Sequence, residues 1–440
     1  MKAIKKLQIL AGAILAASMA SCSSSTIDEQ VEWVPVKNDD GWGFMNPDGE
    51  IVLKGEYENR PSCVVNGFFS VEEGEHYALY EFDEKKPKVV KGCDDLASVG
   101  TMCEGLIPVA KKGERITVLD DSGEKQFELA PVKGKEITSC AGYYSEGLLW
   151  FTTEEDKSGF VDKDGKVVIA AKYDGVMEFH EGKAVVGTKT DDGEWKYSVI
   201  DKDGEVLFKV KSGYAPMSGF IEGRMAVRNH ENDACGFIDD DGEFTKCPSK
   251  VKNIYQFNDD YYVFENEDDK CGVMSFDGEV VLSAKYLDVQ IMKNGNFLVR
   301  KKDSCAVYDA DGEMVADFDD ANRAVQVGKF GVIVEGNDDM YSYYETDGEQ
   351  VKGVEFKNWD LSIRGSVHSD YKKDGADDSF GGYGDDSGYS YPDSEVVPAP
   401  AEEAAAPAYD YDYAAPAEEE PAPAAEAAAP AYDYDYEYAK

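Results

Sequence analysis

The chemistry-bearing residues of this 440-residue chain are abundant, and their spacing has to say whether they form a site. Three turns read Asp-x-Asp-Gly, at Asp162–Gly165, Asp201–Gly204 and Asp309–Gly312, and could be taken for calcium loops. A helix–loop–helix calcium site needs an oxygen ligand five residues before the glycine and a glutamate six after it. Here the first positions are Phe160, Val199 and Val307 and the last are Ala171, Val210 and Phe318, so the side chains argue for plain turns and no metal. The four histidines, His76, His180, His230 and His368, are scattered, and no nucleophile–histidine–acid grouping can be read from their spacing. There is no Cys-x-x-Cys pair among the nine cysteines, so structural zinc has no support. Paired carboxylates at the mouth of a channel could hydrolyse a glycan, but acidic residues recur at every turn, where solvated surface is the simpler reading. The expectation is no catalytic residue, no cofactor and no enzyme.

Charge narrows the partners. With 89 acidic against 45 basic residues the formal net charge is -44, which argues against nucleic acid and against electrostatic attachment to an anionic membrane.

The elements that must position these residues come from repetition. Asp-Gly or Ser-Gly recurs at Gly49, Gly123, Gly165, Gly204, Gly242, Gly278, Gly312 and Gly348, with most intervals between 34 and 42 residues. The long first interval holds a degenerate copy, with Tyr77–Phe82 and Lys88–Val90 around a turn at 83–87, which makes nine hairpins. In the copy at 157–186, Gly159–Asp162 and Lys166–Ile169 flank Asp164-Gly165, which predicts a two-residue hairpin turn. Tyr173–Phe179 and Lys183–Val186 follow as further extended segments. The second half repeats as Glu104-Gly105, Glu146-Gly147, Glu181-Gly182 and Glu222-Gly223, each leading into an apolar strand. Four short strands per unit predict an all-β repeat array of about nine four-stranded units, β-propeller-like, with an open β-solenoid as the alternative because nine exceeds the usual four to eight blades. The array opens on the last strand of a unit, Trp33–Val36, and closes near Tyr343–Phe356, the offset of a ring closed by strands from both termini.

Asp40–Val52, with Trp42-Gly43 at its centre, resembles the WG repeat of bacterial secreted and surface proteins, and the unit at 157–186 matches along its length. The resemblance covers about residues 31–360 and implies a repeat scaffold without catalytic residues. Tryptophan survives only in the first copy; Cys235, Cys271 and Cys305 occupy its register and are expected as buried free thiols.

At the amino terminus, Lys2, Lys5 and Lys6 precede an apolar run from Leu7 to Ala17, then Ala20, Ser21 and Cys22. This reads as a secretory signal too short to span a membrane. It resembles the lipobox of bacterial lipoproteins, which implies acylation of Cys22, a lipid anchor and a place outside the cytoplasm, at the outer membrane or cell surface. Expected boundaries are 1–21 signal, 22–30 linker, 31–366 array and 367–440 tail. The tail carries 18 acidic residues and one lysine from Asp374 onward and repeats Ala-Tyr-Asp-Tyr-Asp-Tyr at Ala408 and Ala431, a composition that predicts disorder. The expected function is a membrane-anchored scaffold for a protein or glycan ligand; a carboxylate-dependent glycan hydrolase and a purely structural envelope protein are the alternatives.

Overall fold

The computed structural model describes residues 27–372; Cys22, the signal segment and the tyrosine-rich repeats lie outside the described residues. The described chain is a ring of nine antiparallel four-stranded sheets, or blades, whose strands run A to D from the axis outward. Blades 2 to 9 occupy 64–89, 98–128, 137–173, 175–209, 214–246, 253–286, 288–319 and 321–356 in chain order. Blade 1 is shared between the termini: Asn358–Trp359 supplies strand A, and Val31–Asn38, Gly41–Met45 and Ile51–Tyr57 supply B to D.

This closes the ring. Val36 pairs with Trp359 and Lys37 with Asn358, the Lys357 amide donates to Lys37 O at 2.8 Å, and the Asp360 amide donates to Pro35 O at 3.1 Å. The partner of the amino-terminal strand therefore lies just beyond the expected Tyr343–Phe356, because that segment is already the outer hairpin of blade 9.

Burial explains the ring. Each blade alternates apolar residues onto both faces, and neither face can be covered within the blade. Among the described residues, nine apolar clusters sit one at each joint between blades, including the closing joint, where Val34, Val36 and Met45 of blade 1 meet Ile333, Tyr343 and Phe356 of blade 9. Joint 4–5 is typical: Phe160 and Ile169 pack on Phe179 and Val186, with the two phenyl rings edge to face at 4.9 Å. Burying one such ring contributes about 1.5–3 kcal/mol, so the joints outweigh any single surface ion pair, worth about 0–1 kcal/mol.

The hairpins differ from expectation in a consistent way. At Asp162–Lys166 the loop has three residues, with the Asp162 amide donating to Lys166 O and the Gly165 amide to Asp162 O; Gly165 takes φ 77° while Asp164 stays at negative φ. This is a type I turn with a glycine bulge rather than a two-residue turn. The Asp162 carboxylate stabilises it by accepting the Asp164 and Lys166 amides at 3.0 and 2.9 Å. The two-residue turn stands instead at Glu181-Gly182, where both residues have positive φ and His180 and Lys183 exchange backbone hydrogen bonds.

Two boundaries also move. Residues 27–30, expected as linker, include buried Ile27 and a short 3-10 turn, Asp28–Gln30. Residues beyond 366, expected as tail, continue the fold: Ser366–His368 adds a fifth strand inside blade 4, antiparallel to Ile137–Ala141. Between Trp359 and Ser366 the chain runs as a strap across the inner strands of blades 2 to 4. Ser362 O accepts the Cys63 amide at 2.8 Å, and Gly365 O accepts the Gly142 amide at 2.8 Å. Gly142 has no room for a side chain there, since a Cβ would lie 1.9 Å from Arg364 O. Nine blades leave a wider centre than fewer would, and the strap fills part of it.

Thr101 is the strap's buried polar fastening: its hydroxyl donates to Arg364 O at 3.2 Å and accepts the Arg364 amide at 3.0 Å. Thr101→Val keeps the shape and strands both groups, so it is expected to cost about 1–3 kcal/mol, read as a lowered denaturant midpoint with an unchanged m-value.

Candidate functional site

With antiparallel strands, the C–D turns of all nine blades and the A–B turns of blades 2 to 9 share one face of the ring, and the B–C loops and D–A crossings share the other. The acidic turns that looked like candidate chemistry therefore collect on one face, where three A–B glutamates hold neighbouring blades together and the first aspartate of the C–D turns closes its own loop. Glu104 accepts the Gly147 amide of the next blade at 3.0 Å, Glu146 accepts Gly182 at 2.9 Å, and Glu181 accepts Glu222 and Gly223 at 2.6 and 2.8 Å. Lysines from the C–D turns complete two of these clamps: Lys163 lies 2.8 Å from Glu104 and Lys202 3.0 Å from Glu146. Each glutamate adopts φ near 50°, a strain of about 1–2 kcal/mol for a residue with a Cβ, which a charge-assisted hydrogen bond of about 1.5–3 kcal/mol offsets.

Where the Glu-Gly motif ends, glutamines take over. Gln256 of blade 7 bonds both backbone groups of Ile291 in blade 8, at 3.1 and 2.7 Å, and Gln290 of blade 8 does the same to Gln326 in blade 9, at 2.7 and 2.9 Å. At the closing joint the buried Tyr343 hydroxyl donates to Pro47 O of blade 1 and accepts the Gly331 amide, both at 2.6 Å.

Burial raises the proton affinity of Glu146, but Lys202 and the Gly182 amide outweigh it, and its pKa lies below the ordinary value. A depressed carboxylate pKa stabilises the fold above the unfolded-state value of about 4.3, and that contribution is lost as pH falls through the folded-state pKa. Glu146→Gln should therefore lower stability by about 1 kcal/mol at pH 7, with the difference shrinking as pH falls below the ordinary carboxylate range, measured by chemical denaturation at a series of pH values.

The histidines stay apart: His76 lies 3.9 Å from Glu73, His180 lies 3.7 Å from Glu181 in an A–B turn, His230 is in a B–C loop, and His368 is on the strap. Eight described cysteines are free and buried. Cys235, Cys271 and Cys305 do share the register of Trp42; Trp42 pairs with Tyr57 and Cys271 with Tyr286 across strands C and D.

One joint is built differently. In most blades the glycine of the C–D turn backs onto the outer strand of the preceding blade: a Cβ on Gly165 would meet Phe127, on Gly204 Ile169, on Gly242 Phe208 and on Gly348 Ala316. At Gly278 nothing lies within 4 Å. The reason is in the register. Phe127, Ile169, Phe208, Leu282 and Ala316 pair with Val118, Phe160, Val199, Val273 and Val307, and blade 6 places Thr245 opposite Phe237 at that position. Its neighbour Phe244 points to the other joint, against Tyr214 with centroids 4.8 Å apart. What remains between blades 6 and 7 is a cleft of about 280 Å³ lined by Phe237, Tyr262, Phe276, Cys247, Lys246 and Asp277. Its three rings stand 4.9–5.5 Å apart, and the Arg224 guanidinium stacks over Phe276 at 4.1 Å. Sequence reading missed it; the signal was a polar residue at an outer-strand position that is apolar in the other blades.

Two segments, residues 42–77 and 159–188, match the family described as WG containing repeat. The chain carries WG repeats. Each match begins on strand C of one blade and runs into the next, so a WG repeat spans a joint rather than a blade. No curated protein matches the sequence. Solved structures with a similar course are BamB from Moraxella catarrhalis, at 10% identity over 66% of this chain and 94% of that one with TM-score 0.36, and a streptogramin B lyase, at 18% over 57% and 90% with TM-score 0.30. The WD40 β-propeller domain of Doa1 aligns at 10% identity over 66% and 93%, TM-score 0.30.

Burial pushes the Cys103, Cys247 and Cys271 thiols up to about 12 and those of Cys235 and Cys305 to about 11. The thiolate is the reactive form, so native WG-repeat chain at pH 8 should react with a maleimide at these five positions far more slowly than denatured chain. Peptide mapping of a timed labelling series checks this.

Proposed function

We propose that the chain is a lipid-anchored, extracytoplasmic binding scaffold, acylated at Cys22, that holds a protein or glycan ligand and performs no chemistry on it. One observation carries the binding reading: the cleft between blades 6 and 7, the joint at which the ring forgoes its apolar wedge. Its rings suit the apolar face of a sugar or an aromatic side chain. Lys246 and Asp277 at its border supply the donor and acceptor that a hydroxylated or amide-bearing ligand needs. Against hydrolysis stands the engagement of Glu104, Glu146 and Glu181, the recurring glutamates, in inter-blade hydrogen bonds. The amino-terminal lysines, apolar run and Cys22 support the anchor.

The test uses the full chain against an oligosaccharide array and a peptide array, with Thr245→Phe as the variant that refills the joint. Binding to array members is expected to fall at least tenfold in Thr245→Phe while thermal stability holds or rises. Equal binding by both proteins would contradict the cleft as the site. Release of reducing ends from a bound oligosaccharide would contradict the absence of catalysis.

A further inference from the structure

Both ends of the described chain leave the ring beside its innermost strands, but through opposite faces. The amino-terminal residues lie on the turn face: Glu29 is 3.4 Å from Lys293 in the A–B turn of blade 8, and Gln30 accepts from Asn66 Nδ2 in that of blade 2 at 2.9 Å. The carboxy-terminal strap climbs to the other face. There Asp370 accepts the Gly113 amide at 2.6 Å, and the Arg115 guanidinium covers the Tyr371 ring at 4.4 Å, both in the B–C loop of blade 3.

Cys22 precedes buried Ile27 by five residues, which span at most about 18 Å when fully extended. Three strand spacings of about 4.8 Å separate strand A from strand D, so the rim stands about 14 Å outside the inner strands beside which the amino-terminal end leaves. A ring standing on its edge would hold an exit beside the inner strands at least about 14 Å from the surface, farther than the roughly 12–13 Å r.m.s. span of a five-residue serine-rich tether, whereas a ring lying on its turn face needs almost none of that span. A ring turned over would put the length of a strand, about 20 Å, between the exit and the surface, beyond even the fully extended tether. We infer that the face formed by the A–B and C–D turns is held toward the lipid bilayer, and that the face of B–C loops, with the exit at Tyr371, is presented to soluble partners. This rests on the acylation of Cys22 proposed above.

The facing surface also selects its lipid. The C–D turns carry Asp120, Asp121, Asp162, Asp164, Asp201, Asp203 and Asp239 to Asp241, so anionic headgroups are repelled over a Debye length of about 8–10 Å and a zwitterionic surface is the fitting partner.

The experiment places full-length, lipidated protein on phosphatidylcholine vesicles that contain a headgroup-nitroxide lipid, with one fluorophore introduced at Asp121→Cys on the turn face or at Glu231→Cys in a B–C loop. Quenching at position 121 should exceed that at 231 several-fold. Equal quenching, or stronger quenching at 231, overturns the orientation. Mass spectrometry of the amino-terminal peptide is read alongside: an acylated Cys22 with reversed quenching removes the orientation alone, whereas an unmodified Cys22 removes the anchor and the orientation together.

Discussion

A four-stranded blade has two apolar faces and can bury neither, and the rest of the molecule follows from that. Each blade needs a neighbour on both sides, so an open row would leave apolar faces such as Ile333, Phe356 and Val36 in water at its ends. Closing the row removes both ends at once. Outer strands remain as edges, and their pairing with strand C is interrupted by bulges in seven blades, which twists the exposed edge away from flat pairing with another chain.

Apolar contact alone does not fix how blades register, and here polar groups do the specifying. Glutamates at the A–B turns serve joints 3–4 to 5–6, glutamines serve 7–8 and 8–9, and Tyr343 serves the closure. The strap adds a second layer from inside, tying blades 2 to 4 to the same segment that completes blade 1. The three A–B glutamates and the first aspartates of the C–D turns thus serve construction. The joint between blades 6 and 7, with Thr245 in place of an apolar wedge, keeps an open cleft, and it is there that we propose a ligand sits.

Much of this was legible in the residues. Eight Asp-Gly-type hairpins and the degenerate copy around 83–87 give the unit and its number, because turn chemistry and period are local properties; the strand offset between the termini points to a closed ring but leaves an open solenoid as the alternative. Turn type was read the wrong way round: the sequence offers Asp-Gly as the two-residue turn, yet Asp162 accepts its own loop amides and opens the turn by one residue, while Glu181 tolerates positive φ because the next blade holds its carboxylate. The strap could not be read, since residues 360–371 carry no alternating pattern and gain their order from Thr101, Gly142 and Thr138 far away in the chain. The cleft was equally hidden, because it depends on which side of a strand Phe244 takes.

The central claim is that strand A of blade 1 comes from the carboxy-terminal end and closes the ring. Native-state hydrogen exchange of the Lys357 and Asp360 amides, which donate to Lys37 O and Pro35 O, tests it most directly. The account predicts that these amides exchange as slowly as the Val186 amide inside blade 5, through global unfolding. Exchange orders of magnitude faster than Val186, insensitive to global stability, would mean an open ring and would contradict it.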